Sequence, residues 1–228
     1  MRFLRFALVA ASLVAGTAFA SPAAPSNGVE YITMANPQPV QPNTKKVEVL
    51  EFFMYQCPHC NVLDPYLTAW VKKQGDNIIF KRVHYPITGP NDAQAHLYLT
   101  LEAMGKLEEM HEKVFKAFHV ERLRLTTDSA VIDWVGKNGL DKAKFLEFWN
   151  SFGVLSKMKR LPTIMQNYKV DSAPTLIVEG RYMTSPSIVG ATNKSVPEGE
   201  LSKLTVQVLD ALVAKVQKDS GYKPVAAK

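Results

Sequence analysis

The stretch FFMYQCPHCNVLDP (residues 52–65) holds both cysteines of the chain, spaced Cys-x-x-Cys, between an apolar run and a segment that opens on proline. Upstream, KKVEVLEFF (residues 45–53) is β-branched and aromatic with a nearly continuous apolar end, as a central strand buried on both faces should be. Pro58 suits the first turn of a helix, where its missing N–H would have had no partner. The segment predicts a helix to about Lys73, bent at Pro65, which removes an internal hydrogen bond. NIIFKRVHY (residues 77–85) reads as a second strand. Strand, helix and strand make a βαβ unit, which predicts an α/β fold with Cys57 at a strand-to-helix junction.

The hydrophobic period then changes. Leu97, Leu101, Met104, Leu107, Met110, Val114 and Phe118 recur every three or four residues, with Asn91 and Gln94 at a capping-box spacing and Gly105 placed to split the stretch in two. Further helices are predicted around Val131, Trp134 and Val135, around Phe145, Phe148 and Trp149, and from Val154 to Met165 with Pro162 as a kink. Residues 91–168 therefore read as a helical domain inserted between two parts of an α/β domain, 45–90 and 169–217. In the second part, residues 176–178 and 181–183 are strand-like around a Glu179-Gly180 turn, and Leu201, Leu204, Val208, Leu209 and Leu212 mark a closing helix. Residues 218–228 read as a polar tail.

The N-terminus is of a different kind. Arg2 and Arg5, an apolar run over residues 8–15 and Ala18-Phe19-Ala20 before Ser21 make residues 1–20 a secretory signal peptide, too short in its apolar part to span a bilayer. Its removal lowers the formal charge from +6 to +4, and no Lys/Arg cluster with interleaved aromatics remains to bind nucleic acid. Residues 21–44 carry five of the fourteen prolines and read as an extended leader. The expected product is an exported protein in an oxidising compartment.

That setting narrows what the two thiols can do. Zinc wants four ligands; the cysteines supply two, and His84, His96, His111 and His119 contain no H-x3-5-H pair. A structural bridge across so short a loop removes little unfolded-state entropy. A reactive pair remains. At a helix N-terminus the unpartnered backbone N–H groups favour the Cys57 thiolate, and His59 can add a donor or a positive charge. Cys60, one turn deeper, is expected to be less exposed. A pair that prefers to be reduced and ionised gives its disulfide away, so the chemistry expected is that of an oxidant.

With EFFMYQCPHC, the helical insertion and SAPTL (residues 172–176) in view, the chain resembles the thioredoxin superfamily and, within it, periplasmic thiol:disulfide interchange proteins of the DsbA type. The resemblance runs from about Val47 to the last helix. It implies a thioredoxin fold with an inserted helical lobe, a cis-proline at Pro174 facing the cysteines, and substrate pairing with the backbone of Ala173. It implies buried acids below the site, matched by Glu51 and less closely by Asp64, as proton carriers for Cys60. It implies a dithiol oxidase that needs no diffusible cofactor, acts on unfolded reduced exported proteins, and is reoxidised by a DsbB-like membrane quinone reductase. Ala173 departs from the Val or Thr more usual there, and Pro65 and Pro162 depart from unbent helices. Two other readings compete: a disulfide isomerase or reductase, for which residues 21–56 leave little room for a dimerisation domain, and a peptide-binding holdase with incidental cysteines.

Overall fold

The computed structural model describes residues 21–41, 45–222 and 224. The expected signal peptide lies outside the described residues, as do residues 223 and 225–228 of the expected tail. Strands β1 (Ile32–Thr33), β2 (Val47–Phe53), β3 (Ile78–His84), β4 (Thr175–Val178) and β5 (Tyr182–Thr184) form a sheet in the order β1-β5-β4-β2-β3. β2 and β3 are parallel and every other pairing is antiparallel.

All seven residues of β2 are buried, because both faces of the strand are covered. On one face Val47 and Val49 pack with Leu63, Leu67 and Trp70 of helix α1 (Pro58–Gln74) and with Val208, Leu209 and Leu212 of the last helix (Glu198–Ser220). On the other, Leu50 and Phe52 pack with Met165, Val170 and Ile177. Each such side chain contributes about 1.5–3 kcal/mol on leaving water. Phe53, at the end of β2, belongs to a third cluster that includes Tyr55, both cysteines and the apolar faces of helices between residues 93 and 168. The two sulfurs thus lie on the seam between sheet and helices.

Those helices are α2 (Ala93–Ala103), α3 (Leu107–His119), α4 (Asp128–Lys137), α5 (Lys142–Trp149) and α6 (Phe152–Tyr168), followed by α7 (Pro186–Gly190) and α8 (Glu198–Ser220). Gly105, with φ 65°, separates α2 from α3 in the left-handed conformation that glycine tolerates. The expected capping box at Asn91 is not formed. Asp92 caps α2 instead, accepting from the N–H groups of Gln94 and Ala95, because Asn91 is still in a preceding 3-10 turn. Pro65 and Pro162 do lie inside helices.

The leader is extended and lies against the sheet: Ile32 and Thr33 pair with Met183 and Tyr182, the Met34 N–H donates to the Arg181 carbonyl, and the Gln38 N–H to the Gly180 carbonyl, each at 2.8 Å. Glu179 and Gly180 both have positive φ, the tight hairpin turn expected, and a Cβ on Gly180 would collide with the Gln38 carbonyl. The tail begins later than residue 218, since α8 continues to Ser220 and ends at Gly221 with φ 68°.

Candidate active site

β2 delivers the chain to a turn in which the Cys57 N–H donates to the Met54 carbonyl at 3.2 Å. Gln94 of α2 clamps that turn: its Oε1 accepts from the Gln56 N–H and its Nε2 donates to Gln56 Oε1. Cys57 is the N-cap of α1, with φ −77° and ψ 120°, and Pro58 is the first helical residue. Cys57 is 7% exposed and Cys60 fully buried, so only the first sulfur is near the surface.

The two thiols titrate in opposite directions. The Cys60 thiol, hydrogen-bonded to the Cys57 sulfur, contributes most to ionising Cys57; the backbone N–H groups of Cys60 and His59 follow, and the His59 charge adds least. Burial opposes them, and the balance holds Cys57 down at about 6. Burial, then the neighbouring Cys57 sulfur and Glu51, push the Cys60 thiol up. The His59 imidazole is exposed and bonded through Nδ1 to Glu198 Oε1 in the first turn of α8, which raises its pKa. Across from α1 the Ala173–Pro174 bond is cis, and the Cys57 thiol donates to the Ala173 carbonyl at 3.4 Å.

Beneath the sulfurs lies a buried chain of charges. Glu51 and Arg82 are register partners on β2 and β3, and Arg82 Nε donates to Glu51 Oε2 at 2.6 Å. The same guanidinium donates to Asp64 Oδ1 at 2.8 Å, and His111 Nε2 donates to that oxygen at 3.1 Å. Burial raises the Glu51 pKa against the pull of Arg82. At Asp64 burial is outweighed by His111 and Arg82, and the carboxyl is held low. Asp64, Arg82 and His111 line a cleft of about 940 Å³ between α1 and α3 that neither sulfur reaches.

Over 218 residues, 95% of this chain and 97% of the relative, the sequence is 40% identical to the thiol:disulfide interchange protein DsbA of Burkholderia cepacia. The chain belongs to the DsbA family. A family described as DSBA-like thioredoxin domain matches residues 89–196. The crystal structure of Pseudomonas aeruginosa DsbA superposes with a TM-score of 0.75 at 30% identity, covering 85% of this chain and 95% of that one. The Neisseria meningitidis oxidoreductase NmDsbA1 gives 0.71 at 25% identity, over 86% and 96%. The fold is thioredoxin-like, as the sequence implies, and the protein is a thiol:disulfide oxidoreductase.

In this DsbA-family site the residues singled out from the sequence fall into two groups. Cys57, Pro58, His59, Cys60, Ala173 and Pro174 come together around the start of α1, with Cys57 nearer the surface and Cys60 buried. Glu51 and Asp64 are joined underneath by Arg82, and neither hydrogen-bonds to Cys60. Sequence reasoning did not find Arg82, Gln94, His111 or Glu198. The signal for Arg82 is a cation in the middle of an apolar strand, beside a strand with a glutamate in the same setting. Glu198 lies 139 residues from His59, and no local pattern links the two.

Proposed function

We propose that the protein is a periplasmic dithiol oxidase that passes a Cys57–Cys60 disulfide to newly exported, reduced proteins. The observation that carries this reading is the contrast between a Cys57 thiol held at about 6 and a Cys60 thiol pushed up. A substrate thiolate attacks Cys57, the sulfur nearer the surface; the Cys57–Cys60 bond breaks and a mixed disulfide forms. Cys60 leaves into a buried site where its thiolate is disfavoured, so it must take a proton. Glu51, whose carboxyl burial keeps protonated to higher pH, supplies it, while Asp64 stays ionised between Arg82 and His111. The substrate's second thiolate then attacks its own sulfur in the mixed disulfide, and Cys57 leaves as a stabilised thiolate. The substrate loses two electrons and the enzyme gains them on its own sulfurs.

Ala173, beside Cys57, offers its backbone to an extended substrate segment, which brings a substrate cysteine to the reacting sulfur. Among the described residues no helix is long and apolar enough to cross a membrane. Reoxidation falls to a DsbB-like membrane quinone reductase that accepts the two electrons. The test is to mix the oxidised protein with a reduced unfolded protein. One disulfide should appear in the substrate for each one lost from the enzyme, with a mixed disulfide mapped to Cys57. No transfer, or a mixed disulfide on Cys60, overturns the reading.

A further inference from the structure

Three of the chain's five histidines converge on one residue. Tyr55 is fully buried two positions before Cys57, and each of its three polar groups meets a different histidine. Its N–H donates to His84 Nε2 at 3.2 Å, its hydroxyl meets His111 Nδ1 at 3.0 Å, and its carbonyl accepts from His119 Nε2 at 2.8 Å. His84 ends β3, while His111 and His119 lie on α3, so the sheet and the helical insertion both grip the residue.

The proton positions follow from the partners. A carbonyl only accepts, so His119 carries its hydrogen on Nε2. A backbone N–H only donates, so His84 is bare at Nε2 and protonated at Nδ1. Among the described residues that Nδ1 is buried without a hydrogen-bond partner. An orphaned buried donor costs stability, and a phenylalanine ring would fill the same space without it. What His84 offers that a phenylalanine cannot is an acceptor for the Tyr55 N–H. At His111 the Nε2 faces the Asp64 carboxylate, and Nδ1 meets the Tyr55 hydroxyl.

Tyr55 belongs to the turn closed by the Cys57 N–H on the Met54 carbonyl. Any shift of Tyr55 is passed through that turn to Cys57. The Cys57 sulfur depends on hydrogen bonds from Cys60 and from the N–H groups of His59 and Cys60, and such bonds weaken steeply with misalignment. We propose that His84, His111 and His119 are positioning residues for the disulfide reaction, holding Cys57 in line with its donors by fixing Tyr55. The inference rests on Cys57 being the reacting sulfur, which the mixed-disulfide mapping above tests separately on the unaltered protein.

The test uses His119→Ala, His119→Gln and Tyr55→Phe in the full chain. The readouts are the thiolate absorbance of the reduced protein against pH and the exchange equilibrium with glutathione. In His119→Ala the Cys57 titration midpoint should rise by about one pH unit, a tenfold loss of thiolate at fixed pH, and the protein should become a correspondingly weaker oxidant. His119→Gln, whose amide can still donate to the Tyr55 carbonyl, should restore most of that loss. Tyr55→Phe keeps the ring volume and removes only the His111 contact, and should move the midpoint the same way by less. If His119→Ala lowers the melting temperature but leaves midpoint and equilibrium unchanged, the histidines are packing and the inference fails. Should His119→Ala not fold, an unmoved midpoint in Tyr55→Phe overturns it.

Discussion

Cys57 and Cys60 are one helical turn apart, yet they sit in two regions with opposite electrostatic logic. The outer region is made of donors: backbone N–H groups at the start of α1, the Cys60 thiol, and a histidine whose charge is steadied by Glu198. The inner region is made of charges already spoken for, with Arg82 shared between Glu51 and Asp64 and nothing left over for a second anion. A sulfur at the edge of the first region ionises easily, and a sulfur against the second does not. Proximity to a helix N-terminus is not enough to activate a thiol; access to unpaired donors and to water decides which one reacts.

The comparison breaks most completely if the outer sulfur is removed. Cys57→Ser should abolish disulfide transfer, whereas Cys60→Ala should leave a reactive Cys57 that attacks added oxidised glutathione, releases one reduced glutathione and accumulates as a mixed disulfide visible by mass spectrometry. Because the Cys60 thiol is the strongest of the donors to Cys57, Cys60→Ala should also raise the Cys57 titration midpoint from about 6 toward the ordinary thiol range. A midpoint that stays at about 6 would mean the helix N–H groups suffice alone.

Next comes the inner region. Arg82→Ala strands Glu51 as an uncompensated buried acid and leaves Asp64 to His111, and should cost about 3–5 kcal/mol in denaturant unfolding. Adding Glu51→Gln should recover part of that loss. If the two regions are as separate as their hydrogen bonds indicate, iodoacetamide should alkylate Cys57 at nearly its original rate in the folded Arg82→Ala protein.

The outer region and much of the fold were legible in the sequence for a shared reason: both are local. The buried strand, the proline at the helix start and the helical periods from Leu97 to Met165 are patterns within a few residues of themselves. The partners that set the chemistry are not. Arg82 meets Asp64 across 18 positions, His111 meets Tyr55 across 56, and Glu198 meets His59 across 139. The extended leader was legible from its prolines but its strand was not, since only the hairpin at Tyr182–Thr184, far along the chain, makes Ile32–Thr33 a strand. The Cys60 thiol, the largest support for the Cys57 thiolate, was not legible either, because sequence spacing does not say where a thiol hydrogen points.

A third, smaller effect separates the regions by pH. Cys57 is depressed in the folded reduced protein, so its contribution to stability is fully present above the unfolded thiol value and is lost as pH falls through about 6. With an unfolded thiol near 8.5, the contribution is on the order of 1 kcal/mol at pH 7 and a few kcal/mol above pH 9. The oxidised protein has no such term. The stability of the reduced form relative to the oxidised one should therefore climb between about pH 6 and pH 8.5, read from paired denaturant curves. A difference independent of pH would show that Cys57 is not the ionised sulfur.

The smallest expected effect belongs to the exposed pair. His59 contributes least among the groups that ionise Cys57, and its side chain is 65% exposed, so water and salt screen its charge. Glu198→Gln removes the carboxylate that favours the protonated form of His59. It should raise the Cys57 midpoint by less than about half a pH unit. The same charge can be screened without mutation: in about 1 M salt the unaltered protein should move in the same direction, and Glu198→Gln should respond to salt less than the parent does. A shift of more than one unit in Glu198→Gln would reverse the ranking, making the imidazolium rather than the Cys60 thiol the chief support of the outer sulfur. The two regions would then differ by one surface charge instead of by access to hydrogen-bond donors.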